Sequence, residues 1–234
     1  ACVSGWYSGR LAEGTLEAEI DACRAHMAKL QAQGCRVVVY GEVAGSIQGR
    51  AVPLYKRPRF ASDAQWQGYA QRLQAFGAHL RDTYELTLAY HHHMGAYVES
   101  PEDVDRLMAE TDDRVGLLFD TGHACFGGAA DPVALLRRHV KRVVHVHCKD
   151  VRPEVIAMAR NRAWSFLDAV LNGAFTVPGD GAIDFAAVVD TLHAAGYEGW
   201  LVVEAEQDPA VAPPAVYARK GHDTLRALVA AMHA

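Results

Sequence analysis

The sequence lacks any apolar run approaching the ~18–20 residues that a membrane-spanning helix needs, so no membrane partner is expected. It also lacks a basic segment leading into an apolar stretch of signal-peptide length, and a cytoplasmic location is the expectation. No C-x-x-C pair occurs among the 5 cysteines, Cys2, Cys23, Cys35, Cys125 and Cys148. An odd count without paired spacing indicates neither a disulfide framework nor a thiolate zinc site, and reduced thiols are expected. Concentrated positive charge is missing as well. Formal net charge is −5, and the densest basic stretch, Lys56-Arg57-Pro58-Arg59, falls in an expected loop. Phosphate recognition needs a clustered basic face, which argues against a nucleic-acid partner and leaves this stretch as a solvated loop or small-anion contact. The chain begins at Ala1 rather than at methionine.

What is present is half-apolar, 50% hydrophobic against 22% charged over 234 residues, which implies a sizeable buried core. Apolar β-branched runs alternate with amphipathic segments. Residues 15–33 put Leu16, Ile20, Cys23, Met27 and Leu30 on one helical face, and Gly34 ends that helix. Ser62 can cap a second helix, with Trp66, Tyr69, Leu73, Phe76 and Leu80 inward. Ser100-Pro101-Glu102-Asp103 resembles a capping sequence. Further helices are expected after Asp131-Pro132, near 154–172, over 185–195 and over 215–233. Strands are expected at 36–40, 86–90, 115–119, 143–147 and 200–203, with Cys2-Val3-Ser4 ending a sixth. Residues 41–61 form a long loop rich in Gly and Pro, a candidate lid. Repeated βα units with short buried strands imply an all-parallel sheet covered by helices, open or closed into a barrel.

The informative residues follow the strands. The first full strand leads to Glu42, and the next to His91-His92-His93. The third ends at Asp120-Thr121-Gly122-His123. The fourth carries His145 and His147 and then Lys149, and the last ends at Glu204, with Glu206 beyond. Parallel α/β barrels gather such strand ends on one face, where their active sites sit. Imidazoles and carboxylates converging there suit a catalytic divalent ion such as Mn²⁺, Co²⁺ or Zn²⁺. Strand alternation sets His92 opposite His91 and His93, in a packing role. The remaining histidines lie on helices or at the terminus and are read as structural. Trp6 is either core or a substrate-stacking surface.

At these motifs the chain resembles the sugar-isomerase-like (xylose-isomerase-type) barrels and, within them, the inosose dehydratase family. Val3-Ser4-Gly5-Trp6-Tyr7-Ser8-Gly9, Val39-Tyr40-Gly41-Glu42, Tyr90-His91-His92-His93-Met94-Gly95 and Asp120-Thr121-Gly122-His123 carry the likeness. So do His145-Val146-His147-Cys148-Lys149-Asp150, Pro178-Gly179-Asp180-Gly181 and Glu204-Ala205-Glu206-Gln207-Asp208-Pro209. The resemblance implies a TIM (β/α)8-type barrel as a single domain over 1–234. About six of the eight strands would be present here, and two N-terminal βα units, roughly 60 residues, would be missing.

The resemblance further implies metal ligation by Asp120, His147 and Glu204. The superfamily's fourth ligand, a Glu, is replaced here by His91 or, with a shifted site, His93; His91 is preferred. The implied reaction removes water from scyllo-inosose, a cyclic polyol ketone, to give a trihydroxycyclohexane-1,2-dione, with Mn²⁺ or Co²⁺ and glutathione. No residue predicts a glutathione site. His123, His93 and Lys149 are candidates for proton transfer, with Glu42 orienting substrate or acting as base, and the sequence does not assign acid and base among them. Trp6, Arg152 and His145 are candidate substrate contacts. The rival within the fold is a metal-dependent sugar isomerase or epimerase, against which the missing strand-end Glu counts. A nuclease is disfavoured by the acidic charge, and a non-catalytic polyol-binding barrel by the many titratable groups. Oligomeric state is left open, a homo-oligomer included.

Overall fold

The computed structural model describes residues 3–232. Six parallel strands make one curled sheet: β1 (Gly5–Gly9), β2 (Val37–Glu42), β3 (Thr87–His91), β4 (Gly116–Asp120), β5 (Val143–Cys148) and, skipping a small hairpin, β8 (Leu201–Val203). The hairpin pairs β6 (Asp150–Val151) antiparallel with β7 (Phe175–Thr176). Helices α1 (Leu16–Ala32), α2 (Asp63–Tyr84), α3 (Pro101–Glu110), α4 (Thr121–Gly127), α5 (Pro132–His139), α6 (Pro153–Asn161), α7 (Phe166–Leu171), α8 (Phe185–Ala194) and α9 (Pro214–Ala231) fill the connections. This is the expected TIM-type α/β architecture, with six strands in the main sheet.

Local chemistry explains the helix starts. Thr15, Ser62 and Asp184 side chains accept the third amide of α1, α2 and α8, and Ser100 with Asp103 forms a full capping box on α3. The region expected as one helix over 154–172 is two. Ala163 takes a left-handed φ of 53°, and Ser165 with Asp168 caps α7 afresh. The first strand also differs from expectation. It runs over Gly5–Gly9, after Val3 and Ser4, and Cys2 lies outside the described residues.

Alternation divides the sheet into two faces. Val38, Tyr40, Leu88, Tyr90, Leu117 and Phe119 pack under the helices in the main core. Val39, Ala89 and Leu118, with Val37 and Val144, form the inner face. Two residues beyond Ala89 stands His91, and two beyond Leu118 stands Asp120, so inner-face parity delivers both to the mouth of the sheet. The same parity carries Glu42, two beyond Tyr40, to the helix side.

The 41–61 loop is pinned rather than loose. Arg57, expected in a solvated loop, is buried: its guanidinium meets Asp103 at 2.6 Å and Glu99 at 3.3 Å, and donates to the Tyr97 carbonyl at 2.8 Å. Ile47 N–H donates to Gly95 O, and Leu54 N–H to Trp164 O. Among the described cysteines, Cys23, Cys125 and Cys148 are free thiols, whereas Cys35 is disulfide-bonded, a correction to the expectation of reduced thiols throughout. No helix of the described residues is long and apolar enough to cross a membrane.

Candidate metal centre and proton-transfer site

The Asp120-Thr121-Gly122-His123 turn builds one side of the site. Asp120 is the N-cap of α4: its Oδ1 accepts the His123 amide at 2.8 Å, which leaves Oδ2 aimed away from the helix. Thr121 Oγ1 donates to the Lys149 carbonyl at 2.7 Å and accepts the Lys149 amide at 3.0 Å, stitching α4 to the chain beyond β5. Gly122 lets the Lys149 stem pass: an added Cβ would stand 2.6 Å from Lys149 Cγ.

Four side chains converge. One donor atom each from His91, Asp120, His147 and Glu204 lies within 4.8 Å of every other. Asp120 Oδ2 is 3.9 Å from His91 Nε2 and 3.6 Å from His147 Nδ1, and His147 Nδ1 is 2.6 Å from Glu204 Oε2. Asp120 Oδ2, His147 Nδ1 and Glu204 Oε2 are nonetheless buried with no aligned hydrogen bond. Buried polar atoms are normally satisfied, so three orphans pointing at one spot fit a ligand held by all of them. Two imidazoles and two carboxylates are the donor set of a borderline divalent cation.

The histidine tautomers follow from fixed backbone partners. His91 Nδ1 lies 2.7 Å from the His92 carbonyl, which can only accept, so Nδ1 carries the proton and Nε2 offers its lone pair. His93 repeats this with the Met94 carbonyl at 2.8 Å. His123 differs, with a donor at each nitrogen, the Met94 amide 3.3 Å from Nδ1 and the Lys149 ammonium 3.1 Å from Nε2, so its surroundings do not fix one tautomer. His91, His93 and His123 also cluster tightly, but the orphaned buried donors belong to the His91–Asp120–His147–Glu204 set, which is therefore the better candidate for a metal.

Beside the tetrad, Lys149 is fully buried among carboxylates. Its Nζ donates to Glu206 Oε2 at 2.7 Å, lies 3.4 Å from Glu204 and 3.5 Å from Asp120, and stands 3.1 Å from His123 Nε2. Glu206 also lies 3.4 Å from His123 Nε2 and 4.0 Å from His93 Nε2. The His93 and His123 ring centroids are 3.9 Å apart.

Burial pushes the histidines down, and positive neighbours add to this at His91, His93 and His123. His147 departs from the rule: burial lowers it, but Asp120 and Glu204 outweigh burial and hold it at about 9. Burial would raise Asp120, yet Lys149 and the imidazoles keep it well below the usual carboxylate range. Burial would likewise deprotonate Lys149, but Asp120, Glu206 and Glu204 keep it charged.

The other expected site residues sit as follows. Trp6 is 46% exposed and meets His91 edge-on at 5.8 Å, so it flanks the site rather than filling the core. His145 lies beneath His147, rings 5.5 Å apart, with Nε2 3.4 Å from Ser4 Oγ. His92 points the other way, and its Nε2 accepts the Asp120 amide. Glu42 does not join the cluster: it accepts from Tyr40 Oη and the Ala12 and Ala44 amides. Arg152 is tied to the Gly173 carbonyl at 3.0 Å and Asp180 at 2.6 Å. Glu206 is noted beyond Glu204 in the sequence but given no role there. Its signal is the second carboxylate in Glu204-Ala205-Glu206, two residues past Glu204.

The family model for the xylose isomerase-like TIM barrel matches residues 1–228. The chain belongs to that family. Among xylose isomerase-like relatives, it is 50% identical to the rhizopine catabolism protein MocC of Rhizobium meliloti over 97% of this chain and 70% of that protein. It is 44% identical to an inosose dehydratase of Geobacillus thermodenitrificans, over 95% of this chain and 75% of the relative. Of solved structures, the IOLI protein with a binding zinc atom gives a TM-score of 0.64 at 16% identity, over 97% of this chain and 74% of that one. An L-ribulose 3-epimerase gives 0.63 at 17%, over 99% and 77%. These two likenesses speak for the fold.

Proposed function

We propose that this xylose isomerase-like barrel is a metal-dependent hydro-lyase that removes water from scyllo-inosose to give a trihydroxycyclohexane-1,2-dione. The hydro-lyase class rests on inosose dehydratases at 44% and 42% identity over 95% of the chain. The observation that carries the metal dependence is the convergence of His91, Asp120, His147 and Glu204, three of whose donor atoms are buried without hydrogen bonds. When bound, a Mn²⁺ or Co²⁺ ion supplies Lewis-acid polarisation of the substrate ketone, which acidifies the neighbouring carbon.

The protein's own residues do the rest. His93, His123 and Lys149 stand beside the tetrad and are the candidates for taking the proton from carbon and giving one to the departing hydroxyl. Trp6 offers an exposed aromatic wall next to His91 for the substrate ring. Glu42 and Arg152, fully engaged elsewhere, take no part.

The test is dialysis against chelator, then assay of scyllo-inosose by the absorbance of the dione, with Mn²⁺, Co²⁺ or Zn²⁺ restored. Activity should vanish in verified metal-free protein and return with Mn²⁺ or Co²⁺. Undiminished turnover without metal would overturn the reading. Omitting glutathione from the same assay tests the thiol requirement implied by the family resemblance. The 50% identity to a protein named for rhizopine catabolism favours one second reading, a rhizopine-derived substrate, and the assay includes it as a competitor.

A further inference from the structure

Residues 153–176 lie outside the six-stranded sheet and carry an apolar cluster of their own, in which Val155, Ile156, Phe166, Val170 and Phe175 pack with Phe126. Local chemistry aims two rings of this cap inward. The left-handed Ala163 follows the end of α6, and the Ser165–Asp168 capping box restarts the chain as α7, which sets Phe166 at its first helical position. On α7, Phe166, Ala169 and Val170 are buried while Leu167 and Leu171 are exposed. Phe175 pairs with Val151 in the hairpin, and its neighbour Thr176, on the opposite parity, is the residue that engages Asp180.

Both rings end on the candidate proton-transfer residues. The Phe166 ring centre is 5.3 Å from that of His93 and 6.0 Å from that of His123, the latter stacked at 21°. Phe175 meets His123 edge-on at 5.2 Å, and its ring centre lies 4.9 Å from the Lys149 amine. The two phenylalanine rings are 6.0 Å apart. His123 and Lys149 have no solvent exposure, although Glu204 and Glu206 beside them are partly open. A phenyl ring removes water from its neighbours without offering them a conventional hydrogen bond, and it holds a flat ring in place by contact alone.

We propose that Phe166 is a positioning residue for the dehydration: with Phe175 it clamps the His93 and His123 rings and seals the Lys149 side of the site from water. Its effect on catalysis rests on the inosose reading above. The clamp acts on ring position and access, whichever nitrogen of each imidazole carries a proton. Catalysis is sensitive to small misplacements of the reacting groups, and a reactive enol is spared side reactions where bulk water is excluded.

Phe166→Leu keeps the cluster apolar but removes the flat face, and Phe166→Met makes the same comparison with a different filler. Either should lower kcat for scyllo-inosose at least ~10-fold with KM within ~3-fold of the parent. Val170→Ala, which loosens the same cluster one turn further along α7, should leave kcat within ~3-fold. Access is read without catalysis. In Zn²⁺-loaded protein, initial rates of diethyl pyrocarbonate labelling, mapped by mass spectrometry, should be far slower at buried His123 than at His222, exposed on α9. In Phe166→Leu the His123 rate should rise at least ~5-fold while the His222 rate stays unchanged. Unchanged His123 labelling, or equal losses of kcat in the Phe166 and Val170 variants, would overturn the clamp. Metal loss from Phe166→Leu in proportion to its loss of activity would assign the effect to the tetrad and overturn it as well. A parent protein that does not dehydrate inosose, yet shields His123 until Phe166 is replaced, would reject the inosose reading and leave the clamp standing.

Discussion

The aliphatic stem of Lys149 fills the space a side chain at Gly122 would need, an added Cβ lying 2.6 Å from Lys149 Cγ, two residues along from the Asp120 cap. The missing side chain at Gly122 is therefore what lets a fully buried ammonium thread between α4 and β8 toward three carboxylates. Gly122→Ala should drive the stem aside and drop kcat at least ~10-fold, at a stability cost of about 1–3 kcal/mol typical of overpacking. Steady-state kinetics and urea denaturation on the same sample check both halves.

Asp150 is buried, and its carboxylate accepts four backbone amides, those of Val151, Gly179, Gly181 and Ile183. One side chain thus organises the Pro178–Gly181 turn. Asp150→Ala would orphan those amides, and a loss of roughly 3 kcal/mol or more in unfolding free energy is expected. Denaturant titration measures it, and a change below about 1 kcal/mol would contradict the clasp.

Arg57 holds the 41–61 loop to the start of α3 through Glu99 and Asp103. Removing one partner of a buried ion pair leaves the others uncompensated, so Arg57→Ala should cost about 3–5 kcal/mol. Hydrogen exchange in residues 46–60 should rise before that of the sheet. Uniform acceleration throughout would show that the arginine does not act locally.

Glu42 gives a pH signature. Burial, its largest influence, raises the carboxyl to about 7, against an ordinary 4.5, although Ala44, Tyr40 and Ala12 hydrogen bonds oppose the rise. A raised acid favours the folded state while protonated, so its contribution is present below about 4.5 and is lost as pH climbs toward about 7. Wild-type stability relative to Glu42→Gln should therefore fall across that window, by on the order of 3 kcal/mol. Parallel pH curves for the two proteins would disprove the shift.

Much of this site was legible because strand ends are legible. Asp120, His147 and Glu204 follow apolar runs that need no alignment to recognise, and inner-face parity carries them together. Glu42 misled because it follows a strand in the same way. Only the register, Tyr40 inward to the helices, reveals that it lies on the other face. Arg152 looked available because its carbonyl partners, Gly173 and Phe175, lie just before and on a two-residue strand too short to leave a periodic pattern. The break between α6 and α7 was hidden because only a left-handed Ala163 and a renewed cap divide them. Tautomers are beyond any sequence pattern, since they depend on which backbone atom faces which nitrogen.

Asp120 has a consequence for how the centre tolerates different occupants. One of its oxygens is fastened to the amide of His123 and the other faces the tetrad. The carboxylate is thus a rocker arm, with a helix on one end and the ligand cage on the other. An occupant of larger radius that pushes Oδ2 outward must tip Oδ1, and with it the first turn of α4. The candidate cage and the first turn of α4 share one carboxylate, so a displacement at Oδ2 would be carried to the backbone of His123.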